Sequence, residues 1–213
     1  MTRTVIIGVL LLALSFAGCE TTPPTEEEIA LNRKQQLCKQ IDRQYENPEA
    51  HYQLGKIYHD EGTLDKAEYA YKTAIGFKPA HYRAQAALVK VVADQKQVDR
   101  SRVVAELYIS QAAVSAPGSL RLGKAFEYEE LDRYALGCYY QASGLDPEWA
   151  EPYKQIGFYY LARDDKVRAE ENLRRSFELD PYQPEVSAEL GRLGVPVHTP
   201  HKTTDSIPGE LPM

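Results

Sequence analysis

A large aliphatic residue recurs along this sequence every 34 residues, and in four of its five copies a glycine follows it. The pair reads Leu54-Gly55, Leu88-Val89, Leu122-Gly123, Ile156-Gly157 and Leu190-Gly191. Three positions after the small member stands a bulky apolar residue in the first four copies: Tyr58, Val92, Phe126 and Tyr160. A fixed internal period of this kind indicates a chain built from stacked units, with a continuous thin core instead of one central core.

Each unit has the pattern of two antiparallel helices, as the first copy (residues 48–81) shows. Apolar residues at helical spacing mark both helices: Leu54 and Tyr58 in the first, Ala67 and Tyr71 in the second. Gly62 breaks the chain between them, and Pro79 ends the second helix. Because Gly55 has no side chain, we expect the two helix backbones to approach closely at this position.

A helix pair with a period of about 34 residues, small residues at set offsets and a closing proline resembles the tetratricopeptide repeat. The resemblance covers residues 48–183, with a partial copy to about residue 194. It implies an all-α, right-handed solenoid of antiparallel helix pairs, with four repeats at 48–81, 82–115, 116–149 and 150–183.

The segments that flank the repeats are predicted to cap the array. Residues 26–46 form a helix that begins after Thr25, where Glu28 completes a capping box. This helix covers the first repeat, or is the diverged second helix of a lost repeat. Residues 184–194 form a capping helix, because a first-helix pattern recurs there without a second helix. Residues 195–213 are proline-rich and aperiodic, which predicts a disordered tail.

The second repeat departs most from the pattern. Val89 replaces the glycine, Tyr108 stands where alanine is expected, and Ala113 replaces the closing proline. A β-branched side chain at the crossing should push the two helices apart, and the second helix should run on into residues 111–114. The stack is therefore expected to be least regular over residues 82–118, either through local repacking or because a bend or site lies there.

Residues 1–18 have the features of a targeting segment. Arg3 is followed by an unbroken run of apolar and small residues from Val5 to Ala17, too short for the roughly 20 residues that span a bilayer. The run ends at Cys19 and resembles the lipobox of bacterial lipoproteins, although Phe16 stands where leucine is usual. That resemblance implies a lipoprotein signal peptide (residues 1–18), lipidation of Cys19 and acylation of the new amino terminus. The alternatives are an ordinary cleaved signal peptide and a short anchor.

Residues 19–25 would then be a lipidated cysteine and an extended tether, since Pro23-Pro24 prevents helix formation. Several acyl chains give stable membrane anchoring. In lipoproteins of Gram-negative bacteria an aspartate after the cysteine commonly retains the protein at the inner membrane. Glu20 stands there in this chain, which weakly favours the outer membrane.

Composition and motifs exclude several classes of function. The chain is 43% hydrophobic and 26% charged, and its net charge of −6 argues against binding to nucleic acid. We find no phosphate-binding loop, dinucleotide fingerprint or nucleophile motif, so neither catalysis nor a cofactor or small-molecule substrate is expected. The five histidines indicate no metal site, and Cys38 and Cys138 are expected to be small buried residues, although a bridge between them stays open.

The resemblance implies a concave groove lined by first-helix residues, at positions two, five, nine, twelve and thirteen of each repeat. Position nine reads lysine in three repeats, which predicts a line of lysines mixed with aromatic residues. Such a surface suits an extended partner segment with acidic groups, whereas the alternative is a solvated basic face beside acidic neighbours. The groove residues are Tyr52, Lys56, His59, Arg83, Lys90, Lys124, Tyr128, Lys154 and Phe158.

The function expected from these features is that of a membrane-anchored scaffold or adaptor. The family resemblance implies binding of other envelope proteins, with pilus, secretion or cell-wall machinery as the range of processes, and a monomer is expected. The alternatives are a structural envelope protein that assembles with itself and an accessory subunit of an envelope enzyme.

Overall fold

The computed structural model describes residues 25–198, and every regular element within that range is an α-helix. Short turns join consecutive helices, which pack against each other, so the described chain is an all-α solenoid of helix pairs. The helices are α1 (Glu26–Arg43), α2 (Pro48–Asp60), α3 (Leu64–Phe77), α4 (Tyr82–Asp94), α5 (Val98–Ala112), α6 (Ala116–Tyr128), α7 (Asp132–Leu145), α8 (Ala150–Leu161), α9 (Lys166–Leu179) and α10 (Pro184–Arg192).

The helix boundaries keep the period of the sequence. The first helices begin at Pro48, Tyr82, Ala116, Ala150 and Pro184, and the second helices begin at Leu64, Val98, Asp132 and Lys166. Helix α1 ends one full period before α3 ends, and its buried Leu37 stands one full period before Tyr71. Therefore α1 occupies the place of a second helix, which favours the interpretation as part of a lost repeat.

The turn inside each repeat contains one residue in the left-handed region, always at the same position of the repeat. The φ angles are +70° at Gly62, 64° at Lys96, 59° at Glu130 and 56° at Asp164. In the first of these turns the Thr63 amide donates to the Tyr58 carbonyl at 2.8 Å, and the other three repeat this bond. The bond satisfies a carbonyl at the end of the preceding helix, so each turn has the same closure although only one of them contains glycine.

The amino ends of several helices are capped by side chains, as the sequence indicates. The capping box at α1 is present, because the Glu28 amide donates to Thr25 Oγ1 at 3.3 Å and the Thr25 amide donates to Glu28 Oε2 at 3.0 Å. Asn47 caps α2 and Ser115 caps α6 through their side-chain oxygens. These bonds satisfy amides that have no partner within the helix.

The repeated glycines leave space for a side chain of the second helix. A Cβ atom on Gly55 would lie 2.6 Å from Tyr71 Cε1, and one on Gly123 would lie 2.5 Å from Tyr139 Cε1. A Cβ atom on Gly157 would likewise lie 2.6 Å from Leu173 Cδ2. The expected close approach is therefore chiefly one of a buried side chain over a bare stretch of backbone, which refines the prediction of a backbone-to-backbone contact.

The second repeat avoids this clash by exchanging the sizes of the two residues. Val89 stands in the glycine position, and Ala105 stands where the other repeats have Tyr71, Tyr139 and Leu173. Helices α4 and α5 approach each other less closely than the helices of the other repeats, as expected. Helix α5 also runs one residue further than its counterparts and ends at Ala112, where no proline stops it.

The carboxyl end of the array is closed by the chain that follows α10. Val195 is 4% exposed and packs with Leu173, Val186 and Leu190, and Val197 packs against the same cluster. The expectation of a tail that is unstructured from residue 195 onward is therefore wrong for Val195, which replaces part of the missing second helix. The signal peptide, Cys19 and residues 20–24 of the tether lie outside the described residues, as does the tail from residue 199.

Candidate interaction groove

The first helices of three successive repeats meet on one face of the array. Helix α4 contacts both α2 and α6, and three of its fully buried residues are alanines: Ala84, Ala86 and Ala87. Long side chains from α2 and α6 meet across it. The Lys56 ammonium on α2 donates to the Tyr128 hydroxyl on α6 at 2.7 Å and lies 4.9 Å from the centre of its ring. This contact closes the groove over α4.

A second polar cluster lies beside this contact. The Asp94 carboxylate accepts a hydrogen bond from Lys90 Nζ at 2.9 Å and is 2.9 Å from His59 Nε2. Burial opposes the ionised form of Asp94, but its bonds to Lys90 and His59 hold its pKa below the ordinary value. The two predicted groove residues Lys90 and His59 are therefore brought together by one aspartate that spans from α4 to α2.

Glu129, directly after α6, completes the cluster, and the repeat pattern does not identify it. Burial raises the pKa of its carboxyl group above the ordinary value, while the charges of His59, Lys56 and Lys90 oppose that rise. The same carboxylate affects Tyr52. Burial is the main cause that raises the pKa of Tyr52 to about 12, and the charge of Glu129 is the second. Glu129 follows the last groove position by one residue, so a first-helix pattern omits it.

The carboxyl half of the predicted lysine line is also paired with acids. Lys124 donates to Glu151 at 2.7 Å. Lys154 bridges Glu151 at 2.6 Å and Glu185 at 3.1 Å, and these contacts raise its pKa although burial acts in the opposite direction. The groove is thus a ladder of alternating charges, which is the alternative that the sequence left open, and it is not an unbroken basic line.

Two predicted groove residues belong to the core. Tyr52 is 1% exposed, and its ring lies against Tyr71 and beneath the Arg83 guanidinium, 5.1 Å from the ring centre. Phe158 is partly buried in the apolar cluster at the carboxyl end of the array. Tyr52 therefore cannot contact a partner directly, because the packing of α3 and α4 covers it, whereas Tyr128 is 62% exposed.

A separate basic pocket lies where α3 leads into α4 and faces α6. We call it the rim pocket; its volume is about 310 Å³, and it is lined by Glu49, Lys78, Ala80, His81, Tyr82, Arg83, Arg121 and Lys124. Arg83 and Lys124 are predicted from the sequence. Lys78 and Arg121 are missed because they stand at positions 31 and 6 of their repeats, outside the groove positions. No periodic signal marks them.

The remaining candidates for chemistry are structural or isolated. His51 is buried and its Nε2 lies 2.8 Å from the Tyr45 carbonyl, so packing accounts for it. Cys138 is buried in α7, and burial raises its pKa to about 12, which suppresses the reactive thiolate. Cys38 is exposed on α1, contrary to expectation, and both thiols are free.

Nowhere between residues 25 and 198 do three or more His, Cys, Asp or Glu side chains gather in a way that could hold a metal ion. No helix in that range has the length and apolar character needed to cross a bilayer.

Comparison with known proteins identifies only distant structural similarity. No protein-family model matches the sequence, and no curated protein matches it. Among solved structures, MamA from Desulfovibrio magneticus is 23% identical over 73% of this chain and 88% of its own, with a TM-score of 0.41. Pseudomonas aeruginosa pilF is 22% identical over 68% and 67% of the two chains (TM-score 0.40), and YrrB, described as a TPR protein with an unusual peptide-binding site, is 14% identical over 77% and 86% (TM-score 0.41). At these values the similarities carry no argument about function.

The assignment of the fold therefore depends on the chain's own geometry. Helix boundaries, left-handed turn residues and the contacts of the small first-helix residue all recur at the period read from the sequence. This is the helix pairing of the repeat that the sequence resembles. The described chain is accordingly an all-α solenoid of repeated helix pairs, the architecture that the resemblance implies.

Proposed function

We propose that this protein is a lipid-anchored scaffold of the bacterial cell envelope that binds extended segments of other proteins in the groove of its first helices. The observation that carries the proposal is the convergence of three repeats on one polar surface, where Lys56, Lys90 and Tyr128 lie together. A surface that combines ammonium groups, a phenol and backbone of regular spacing suits an extended peptide with acidic groups.

The pairing of the groove lysines with groups of the same chain determines how such a segment would bind. Each groove lysine already has a partner in the chain, so an incoming carboxylate must replace Asp94, Glu151 or the Tyr128 hydroxyl. These pairs are partly exposed, and pairs of this kind contribute only about 0.2–1 kcal/mol each. Exchange therefore requires little free energy, and the groove can open for a ligand without unfolding of a repeat.

The membrane anchor is supported by the sequence around Cys19. Its test is metabolic labelling of cells with a fatty acid, in which the wild-type chain should carry label and Cys19→Ala should not. An unlabelled wild-type chain, or label that survives Cys19→Ala, rejects the anchor. Separation of the inner and outer membranes then tests the proposed location in the outer membrane. The identity of the captured partners would show whether the protein serves pilus, secretion or cell-wall machinery.

Partner binding is tested by crosslinking in intact cells followed by capture of the protein. The groove variant replaces Lys56, Lys90 and Lys124 with Glu, and it should lose partners that the wild type retains. The matched control replaces Lys39, Lys72 and Lys166 with Glu, which makes the same change of charge on exposed positions away from the groove. Equal capture by both variants contradicts a role for the groove.

Self-assembly is the second candidate, and one observation favours it. A Cβ atom on Gly191 would meet no atom of residues 25–198 within 4 Å, whereas the equivalent Gly55, Gly123 and Gly157 are covered by a second helix. Among residues 25–198, no second helix follows α10 and no first helix precedes α1. Light scattering of the full-length chain in detergent, compared with Gly191→Arg, tests whether copies join end to end.

A further inference from the structure

We infer that the rim pocket binds an acidic side chain of the partner segment and is the anchoring point of the groove. The inference deepens the proposed function and rests on it. The ligand it requires is a carboxylate on an extended peptide, held between the start of α4 and the face of α6. Three features support it: uncompensated charge, a carboxylate of the chain already seated there, and rigid support beneath it.

The rim pocket holds the positive charge that the rest of the groove lacks. Lys78 and Arg121 make no ion pair or hydrogen bond with any side chain among residues 25–198, whereas Lys90 and Lys124 are paired with acids. Against Lys78, Arg83 and Arg121 the pocket itself contains one carboxylate, Glu49. The whole chain carries a net charge of −6, so this concentration of cations is a local property.

Glu49 shows which group the pocket accepts. Its carboxylate accepts hydrogen bonds from Arg83 Nη2 at 3.2 and 3.4 Å and from Gln53 Nε2 at 2.7 Å, and His81 Nε2 lies 3.3 Å away. Although burial opposes it, the Gln53 bond and the charge of Arg83 hold the pKa of Glu49 below its ordinary value. The pocket therefore stabilises an ionised carboxylate. Lys78 and Arg121 remain available for a second carboxylate, supplied by the partner segment.

The support beneath the pocket is rigid. His81 is 6% exposed; the Ala84 amide donates to its Nδ1 at 3.2 Å, so the proton of the neutral ring lies on Nε2 and points to Glu49. The Arg83 guanidinium lies over the buried Tyr52 ring. His81 and Arg83, held by these contacts, lose little conformational freedom when a ligand binds, and that favours affinity.

The experiment is calorimetric titration of the full-length chain in nonionic detergent with an acetylated, amidated peptide of alternating Glu and Ala. The matched peptide has Gln in place of every Glu. We expect the Glu peptide to bind and the Gln peptide not to. Arg121→Gln and Lys78→Gln should each weaken binding about three- to fivefold, the range of partly exposed ion pairs. Glu49→Gln should strengthen it about threefold, because Arg83 is released for the ligand.

Arg102→Gln is the control, since Arg102 is 62% exposed on α5 and lies outside the rim pocket. Thermal melting of each variant establishes that it is folded. The inference is overturned if Arg121→Gln and Lys78→Gln bind the Glu peptide as Arg102→Gln does, or if neither the wild type nor Glu49→Gln binds it. The proposed function is tested separately by the capture of partners in cells, so the two experiments can fail independently.

Discussion

The ammonium group of Lys56 and the hydroxyl of Tyr128 meet at 2.7 Å although 72 residues separate them in the chain. They lie on first helices two repeats apart, so their contact measures how tightly the array curves around α4. The same lysine lies over the tyrosine ring. We call this contact the latch, because it joins the first and third repeats across α4.

The first prediction concerns the free energy of this latch. A double-mutant cycle with Lys56→Met and Tyr128→Phe should give a coupling of about 0.5–1 kcal/mol in urea unfolding, since a partly exposed hydrogen bond and a cation–π contact combine. The same cycle with Arg102→Met and Asp99→Asn, an exposed pair within α5, should give a value near zero. Equal couplings in the two cycles would show that the latch contributes nothing.

The second prediction concerns the bare positions of the first helices. Gly123→Ala should lower the free energy of unfolding by about 1–3 kcal/mol, because the new Cβ would lie 2.5 Å from the Tyr139 ring. Gly137→Ala on α7 is the control, because a Cβ there meets no described atom within 4 Å; it should stabilise the helix by up to about 1 kcal/mol.

A rescue makes this prediction specific. The second repeat tolerates Val89 because Ala105 faces it. The double variant Gly123→Val, Tyr139→Ala should therefore lose less free energy of unfolding than the two single variants lose together. Strict additivity of the two changes would contradict direct contact between these positions.

The third prediction concerns pH and the attachment of α5. Arg100 on α5 donates to both carboxylate oxygens of Glu68 on α3, and this bond is the main reason that the pKa of Glu68 is lowered to about 2. A lowered pKa stabilises the folded state above the unfolded value of about 4.5, and that contribution is lost as the pH falls from there towards 2. Glu68→Gln should therefore lose about 1–2 kcal/mol at neutral pH.

The measurement is the melting temperature of the wild type and Glu68→Gln between neutral pH and pH 2. The difference should be constant above about pH 5 and should close as the pH approaches 2. Glu178→Gln serves as control, because its carboxylate is 65% exposed and 3.7 Å from its partner, Arg175. A difference that persists at low pH would show that Glu68 acts through packing alone.

The fourth prediction concerns the left-handed turn residues. Lys96→Gly should stabilise the protein by about 0.5–1 kcal/mol, since a lysine at φ 64° carries a steric penalty that glycine does not. Gly62→Ala should destabilise it by about 1 kcal/mol for the same reason. Gln95→Gly, one residue earlier with φ −69°, should lower the melting temperature, and this separates turn geometry from a general effect of glycine.

Much of the fold could be predicted from the sequence, because the signals are local and repeated. The Leu-Gly pairs place the first helices, the capping box places the start of α1, and the unusual second repeat predicts loose packing there. The candidate groove is predicted less well. Tyr52 is expected on its surface but is buried, and no pattern identifies Glu129, Lys78 or Arg121.

The sequence by itself determined the repeat: its constant period fixes which residues lie on a helix, where each turn falls and which face is apolar, since these depend on spacing along a single helix. Only the tertiary structure decided how the charges are paired. Lys56 reaches Tyr128, and Arg121 lies in the same pocket as Lys78, because the stacking of the repeats lets residues of different units approach. That approach depends on the accumulated rotation between repeats, which no local pattern in the chain records.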